Sequence, residues 1–165
     1  MNTPIPVSNL QPGDHLLYNV KWDLCDCIIR VKTWSDVAHI EVFDGDGGTP
    51  GGSPVSLAAR RDGVNRYPFR PDGLAYVLRP EKWDTAAGRY WFEKVARGQA
   101  YDWKGLLCFA LAVRQGSPGK MFCSEFARNL DREALFRSFA DPWPGDKVAP
   151  GDFLKSPSFF WIWAL

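Results

Sequence analysis

The chain has 165 residues with a formal net charge of +1, 45% apolar residues and 24% charged ones. That length fits one domain with a sizeable core, residues 1–165. The near-zero charge and the lack of a basic run argue against a nucleic-acid partner. Met1 to Leu10 carries no basic start and no apolar run, and no stretch reaches the length needed to cross a bilayer.

Eight Trp and eleven Phe form an unusually aromatic set. Without a secretory leader a cytoplasmic setting is expected, and a viral or virion-associated origin stays open. Disulfides are then not expected among Cys25, Cys27, Cys108 and Cys123. Cys25 and Cys27 stand too close for a zinc knuckle, and no second pair follows. Cys25, Cys27 and Cys108 read as small buried hydrophobes.

In chain order, Gln11-Pro12-Gly13-Asp14 predicts a turn and His15 to Tyr18 a strand. Leu24, Ile28, Ile29 and Val31 fit a short helix better than an alternating strand. Ser35 to Phe43 predicts a strand in which Val37, His39, Glu41 and Phe43 share one face. Ala38, Ile40 and Val42 share the other, and that side reads as core. Asp44 to Gly52 is a turn-rich connection. It lacks the Lys and the setting of a P-loop, and the closing Glu of a calcium loop. Strands follow at Pro54 to Ala59, Val64 to Phe69 and Ala75 to Arg79, an antiparallel meander by its short links.

After Pro80 the pattern turns helical. Trp83 to Ala96 presents Trp91, Phe92 and Val95 on a face and stops at Gly98. A second helix opens at Tyr101-Asp102, with Asp102 as N-cap, and carries Leu106, Leu107, Phe109, Ala110 and Val113 to near Gly116. A third begins at Cys123, with Phe126, Leu130, Leu135 and Phe136 as its apolar face. Pro142 to Gly145 and Ala149 to Asp152 read as ordered loop. The tail Phe159 to Leu165 is expected to pack on the core or to offer an apolar contact to an oligomer or a membrane surface. Strands followed by helices predict an α+β domain, an antiparallel sheet or half-barrel packed against helices.

Cys123 stands where a loop gives way to a helix. There the positive end of the helix dipole and the unsatisfied amides favour a thiolate, the nucleophilic form. A thiol nucleophile needs a base, and the chain has two His. His15 has no carboxylate at strand spacing and reads as structural, partly exposed or hydrogen-bonded. His39 has Glu41 on its own strand face. Glu125 reads as a first-turn carboxylate favoured by the dipole, and Arg79 and Arg114 as solvated side chains.

The ordered set of segments resembles the permuted NlpC/P60 group of papain-like cysteine proteins, the YiiX-like branch. The residues that carry the resemblance are Gln11-Pro12-Gly13-Asp14, Ser35 to Phe43, Val55-Ser56-Leu57-Ala58-Ala59 with Gly63-Val64, and Val77-Leu78-Arg79-Pro80. They continue through Gly98-Gln99-Ala100-Tyr101-Asp102, Phe122-Cys123-Ser124-Glu125-Phe126 and Ala149-Pro150-Gly151-Asp152-Phe153. The resemblance implies a papain-like core in permuted order, with Cys123 as nucleophile and His39 as base. A third polar group in such proteins often lies on the following strand, which offers Ser56 here. Glu41 is the stronger candidate because an anion stabilises an imidazolium.

The function so implied is hydrolysis of an amide in a peptide or cell-wall-like substrate, with no metal and no cofactor. Two other readings compete. One is a thiol acyltransferase, thioesterase or lipid-directed hydrolase of the same fold, with the aromatic tail as its apolar contact. The other is a catalytically inert binding module on the same scaffold.

Overall fold

The computed structural model describes residues 5–19, 34–110, 119–134 and 148–164, side chains at 108–110 and 164 excepted. The short helix expected around Leu24 to Val31, Cys25, Cys27 and the Cys108 side chain lie outside these residues. So do Val113, Arg114, Leu135, Phe136 and Pro142 to Gly145.

Five strands follow one another: β1 (His15–Asn19), β2 (Val37–Phe43), β3 (Val55–Arg60), β4 (Gly63–Pro68) and β5 (Leu74–Pro80). They belong to a six-stranded antiparallel sheet in the order β4-β3-β2-β1-β5-β8, with β8 (Phe159–Ala164) pairing β5 at the edge. A short parallel pair joins β6 (Ala100–Tyr101) to β7 (Lys120–Met121). The helices are α1 (Thr85–Trp91), α2 (Trp103–Ala110) and α3 (Cys123–Ala134). The expected meander is present from β1 to β4, but β5 does not continue it: it crosses the sheet to pair with β1, and the tail contributes a strand that its unbroken apolar run did not announce. Phe159 of that strand is buried, whereas Phe160 and Trp161 are more than half exposed.

Helix α3 packs on the middle of the sheet. Phe126, Ala127 and Leu130 share one core cluster with Ile40, Val42, Leu57 and Ala59. Each fully buried Phe or Leu contributes about 1.5–3 kcal/mol, so this stripe fixes the helix on the sheet. A second cluster holds Leu10, Leu16, Tyr18, Phe43, Leu74 and Val77. Strand β2 is thus covered on both sides, and the expectation of a single core face is corrected. Burial of Glu41 and Phe43 follows from it.

Strict alternation also fails within β2. Tyr18 pairs with His39, but Asn19 pairs with Val37, so Ala38 is an extra residue against β1. Such a bulge re-aims side chains locally. Val37 accordingly shares the cluster of Ile40, Val42 and Cys123. His39 stands at the switch.

Helix α1 is capped by the Asp84 side chain, which accepts from the Ala87 amide at 2.9 Å. It runs into a π-helical turn, Phe92–Ala96. The wider turn brings Phe92 and Ala96 inward and leaves Val95 exposed, contrary to the 3.6-residue reading. Trp83 precedes the helix and covers Gly13. A Cβ at Gly13 would stand 2.4 Å from the Trp83 ring, and its φ of +97° suits glycine. In α2, Asp102 caps as expected, accepting from the Gly105 amide at 2.8 Å, while Leu107 is exposed. Ala149 to Asp152 leads into a 3-10 turn, Pro150–Lys155, that buries Phe153.

His15 is fully buried, not partly exposed. Its Nε2 lies 3.1 Å from Asp131 Oδ2 and 3.0 Å from Oδ1, and its Nδ1 lies 2.9 Å from the Gly13 carbonyl. Burial pushes the Asp131 carboxyl upward and His15 opposes that shift. The pair ties β1 to α3 across the core. Removing one partner of a buried pair strands the other at a cost of about 3–5 kcal/mol.

Candidate active site

The site is built where β2, β3 and the start of α3 meet. His39 and Glu41 come from β2, two residues apart as a strand requires for a shared face. Their side chains converge: His39 Nε2 lies 3.0 Å from Glu41 Oε1. Glu41 is fully buried, while His39 retains 22% side-chain exposure.

A buried carboxylate needs partners, and Glu41 has several. Ser56 Oγ donates to Oε2 at 2.5 Å. Arg60 Nε donates to Oε1 at 2.9 Å, with its terminal nitrogen 2.8 Å away. A terminal nitrogen of Arg70 reaches the same oxygen at 3.4 Å. Burial alone would raise the Glu41 pKa. The hydrogen bond and charge of His39, then Arg60 and Ser56, outweigh it and hold the carboxyl near 2. Glu41 and Ser56 are thus not rivals for one place. Glu41 bonds the imidazole, and Ser56 holds Glu41.

The other partner of His39 is Cys123, the first residue of α3. Burial of the ring opposes its charge. Hydrogen bonding to Cys123 and to Glu41, with the attraction of both, overrides that and lifts His39 to about 10. Cys123 is 1% exposed, so the imidazole marks the open side of the pair.

Around this centre, Ser124 turns away and donates to the Val148 carbonyl, tying the start of α3 to the segment before the 3-10 turn. Tyr18, paired with His39 across the strands, places its ring 6.0 Å from the imidazole. Burial, then the Glu41 charge, pushes the Tyr18 phenol far above its ordinary value, so it stays protonated.

Other candidates go elsewhere. Arg79 binds Asp14 through two nitrogens, at 2.8 and 2.7 Å, and so pins the first turn to β5. It is paired, not solvated. Tyr101 packs its ring 4.8 Å from Trp103. Glu125 lies in the first turn of α3, where a carboxylate suits the dipole. Arg60 and Arg70 were not anticipated. The sequence signal of Arg60 was its position at strand-face spacing after Ser56.

No protein-family model matches the chain, and no curated protein matches it at a significant level. Among solved structures it is similar to the crystal structure of the metalloprotein YiiX from Escherichia coli O157:H7, DUF1105. The TM-score is 0.65 over 94% of this chain and 97% of that one, at 16% identity. At that identity the likeness establishes the fold, a YiiX-like α+β arrangement. YiiX is described as a metalloprotein. Among the described residues no group of three or more His, Cys, Asp or Glu side chains is placed to hold an ion. Glu41, the carboxylate beside His39, is engaged by Ser56 and Arg60. These residues do not fit a metal centre.

Proposed function

We propose that this protein is a thiol hydrolase of an amide bond, with Cys123 as nucleophile, His39 as general base and acid, and Glu41 as the anchor of the imidazole. One observation supports the reading most: His39 Nε2 lies 3.0 Å from the buried Glu41 carboxylate, and the influence of Cys123 and Glu41 raises His39 to about 10. This is the arrangement that nucleophilic catalysis by a thiol needs, with the base oriented by a third group. The YiiX-like fold supports it, and a permuted papain-like order, histidine strand before nucleophile helix, belongs to the same proposal.

The steps balance as follows. The Cys123 sulfur adds to the amide carbonyl carbon, and the carbonyl oxygen takes the negative charge. Backbone amides at the start of α3 are the donors for that oxyanion. Protonated His39 gives its proton to the leaving nitrogen as the carbon–nitrogen bond breaks, leaving a thioester on Cys123. Neutral His39 then takes a proton from water, whose oxygen attacks the thioester. The carboxylic product leaves, and the sulfur and imidazolium are restored. The substrate class is a peptide or cell-wall-like amide.

The test is intact-mass analysis after rapid quenching with peptides, cell-wall fragments and acyl thioesters. The expected result is an acyl mass on Cys123 from an amide substrate, absent from the Cys123→Ala protein. An adduct formed only from thioesters would favour the acyltransferase or thioesterase chemistry. No adduct and no hydrolysis with any of them would overturn the proposal.

A further inference from the structure

We infer that Arg70 reads a carboxylate on the substrate, within about three residues of the scissile bond; this rests on the amide-hydrolase reading of the same site. The inference starts from an oversubscribed oxygen. Glu41 Oε1 faces His39 Nε2 at 3.0 Å and accepts from Arg60 Nε at 2.9 Å. Ser56 holds the other oxygen. Glu41 is satisfied before Arg70 is counted, and the Arg70 contact is the long one, at 3.4 Å.

The two arginines differ in what they have left to offer. Arg60 is mostly buried, with its guanidinium 4.1 Å over the Tyr67 ring. The Tyr67 hydroxyl in turn donates to Asp62 at 2.7 Å. Arg70 is 44% exposed. Yet it is not a loose surface side chain. The Tyr18 hydroxyl donates to its carbonyl at 3.1 Å, and its guanidinium lies 5.9 Å from the Tyr18 ring. That ring stands 6.0 Å from His39. The Arg70 backbone is therefore held beside Tyr18, and its half-exposed guanidinium stands next to Glu41 at the edge of the site.

Charge points the same way. Two guanidiniums and the imidazolium meet one carboxylate at Glu41, and with the Cys123 thiolate counted the group carries one net positive charge. A planar guanidinium with parallel N–H groups matches a carboxylate in a two-bond fork. The path from Cys123 through the ring and Glu41 to Arg70 spans on the order of 10 Å, about three residues of extended chain.

The experiment uses the whole protein and three affinity labels: bromoacetyl-Gly-Gly, its C-terminal amide, and bromoacetyl-Gly-Asp amide. In each the Cys123 sulfur displaces bromide to form a thioether, and intact mass follows the rate. A free acid is expected to label Cys123 about tenfold faster than the neutral amide. The faster of the two acids tells a chain-terminal carboxylate from an acidic side chain. In Arg70→Ala the acid-to-amide ratio should fall to about one, and Arg70→Lys should retain part of it. Equal rates for acids and amide in the wild type, or a preference that survives Arg70→Ala, would overturn the inference and leave the hydrolase reading standing. Failure of all three labels to modify Cys123 would remove the nucleophile, and the inference with it.

Discussion

Cys123→Ala is expected to lower amide hydrolysis by about 10⁴-fold or more, to the limit of detection, while the protein stays folded. The size follows from the chemistry. Without the sulfur there is no thioester, and water must attack the amide directly with only positioned donors to help. Stability should fall moderately: the substitution removes one heavy atom from the main core cluster, a cost of about 1 kcal/mol, and it also removes the Cys123 share of the attraction that raises His39. Turnover with a purified peptide amide and urea denaturation on the same samples separate the two effects. A variant that is folded and active would end the proposed mechanism, whatever the fate of Arg70.

Glu41→Gln should produce the second-largest loss, about 10²–10⁴-fold in turnover. The amide side chain keeps the shape but not the charge that favours the imidazolium. Here stability should fall as well, because Glu41 is fully buried against Arg60. Removing one member of such a pair costs about 3–5 kcal/mol. The sign of the pH dependence gives an independent check. Glu41 is held near 2 from an ordinary 4.5, so its contribution is present above pH 4.5 and lost as pH falls from 4.5 toward 2. His39 is raised from 6.5 to about 10, so its contribution is present below pH 6.5 and lost as pH rises toward 10. The wild-type stability from this pair therefore peaks between about pH 4.5 and 6.5. The profile of Glu41→Gln, measured by urea denaturation across pH, should be flatter on both sides.

The parts of this site differ in how far the chain betrays them. Cys123 at a helix start and the His39–Glu41 spacing are local patterns, and local patterns survive folding. The strands and the β1–β4 meander were legible for the same reason, since turn residues separate them, whereas the crossing of β5 to the far side of β1 was not. Pairing is not local. Nothing near Asp131 in the chain announces His15, which lies 116 positions away. Arg60 and Arg70 reach Glu41 only because β3 lies beside β2 and because the segment between β4 and β5 returns toward the same carboxylate. Ser56 was visible as a polar residue on the right strand, but its role as a donor to Glu41 needed the register.

Two other misses have a common cause in departures from ideal periods. The extra residue at Ala38 puts Val37 among the residues that pack on α3, where strict alternation had placed it with His39 and Glu41. The π-helical turn at Phe92–Ala96 rotates Val95 out of the core. The tail was hidden differently. Phe159 to Trp163 is apolar throughout, so no alternation distinguished an edge strand from a packed coil.

The most direct test of the Cys123–His39–Glu41 assembly is the titration of His39 by nuclear magnetic resonance. The chain has only two histidines, so labelled imidazoles are readily assigned with a His39 variant. The account predicts that His39 titrates at about 10 and moves back toward 6.5 in Cys123→Ala and in Glu41→Gln. A wild-type His39 that titrates near 6.5 and is unchanged in both variants would contradict it.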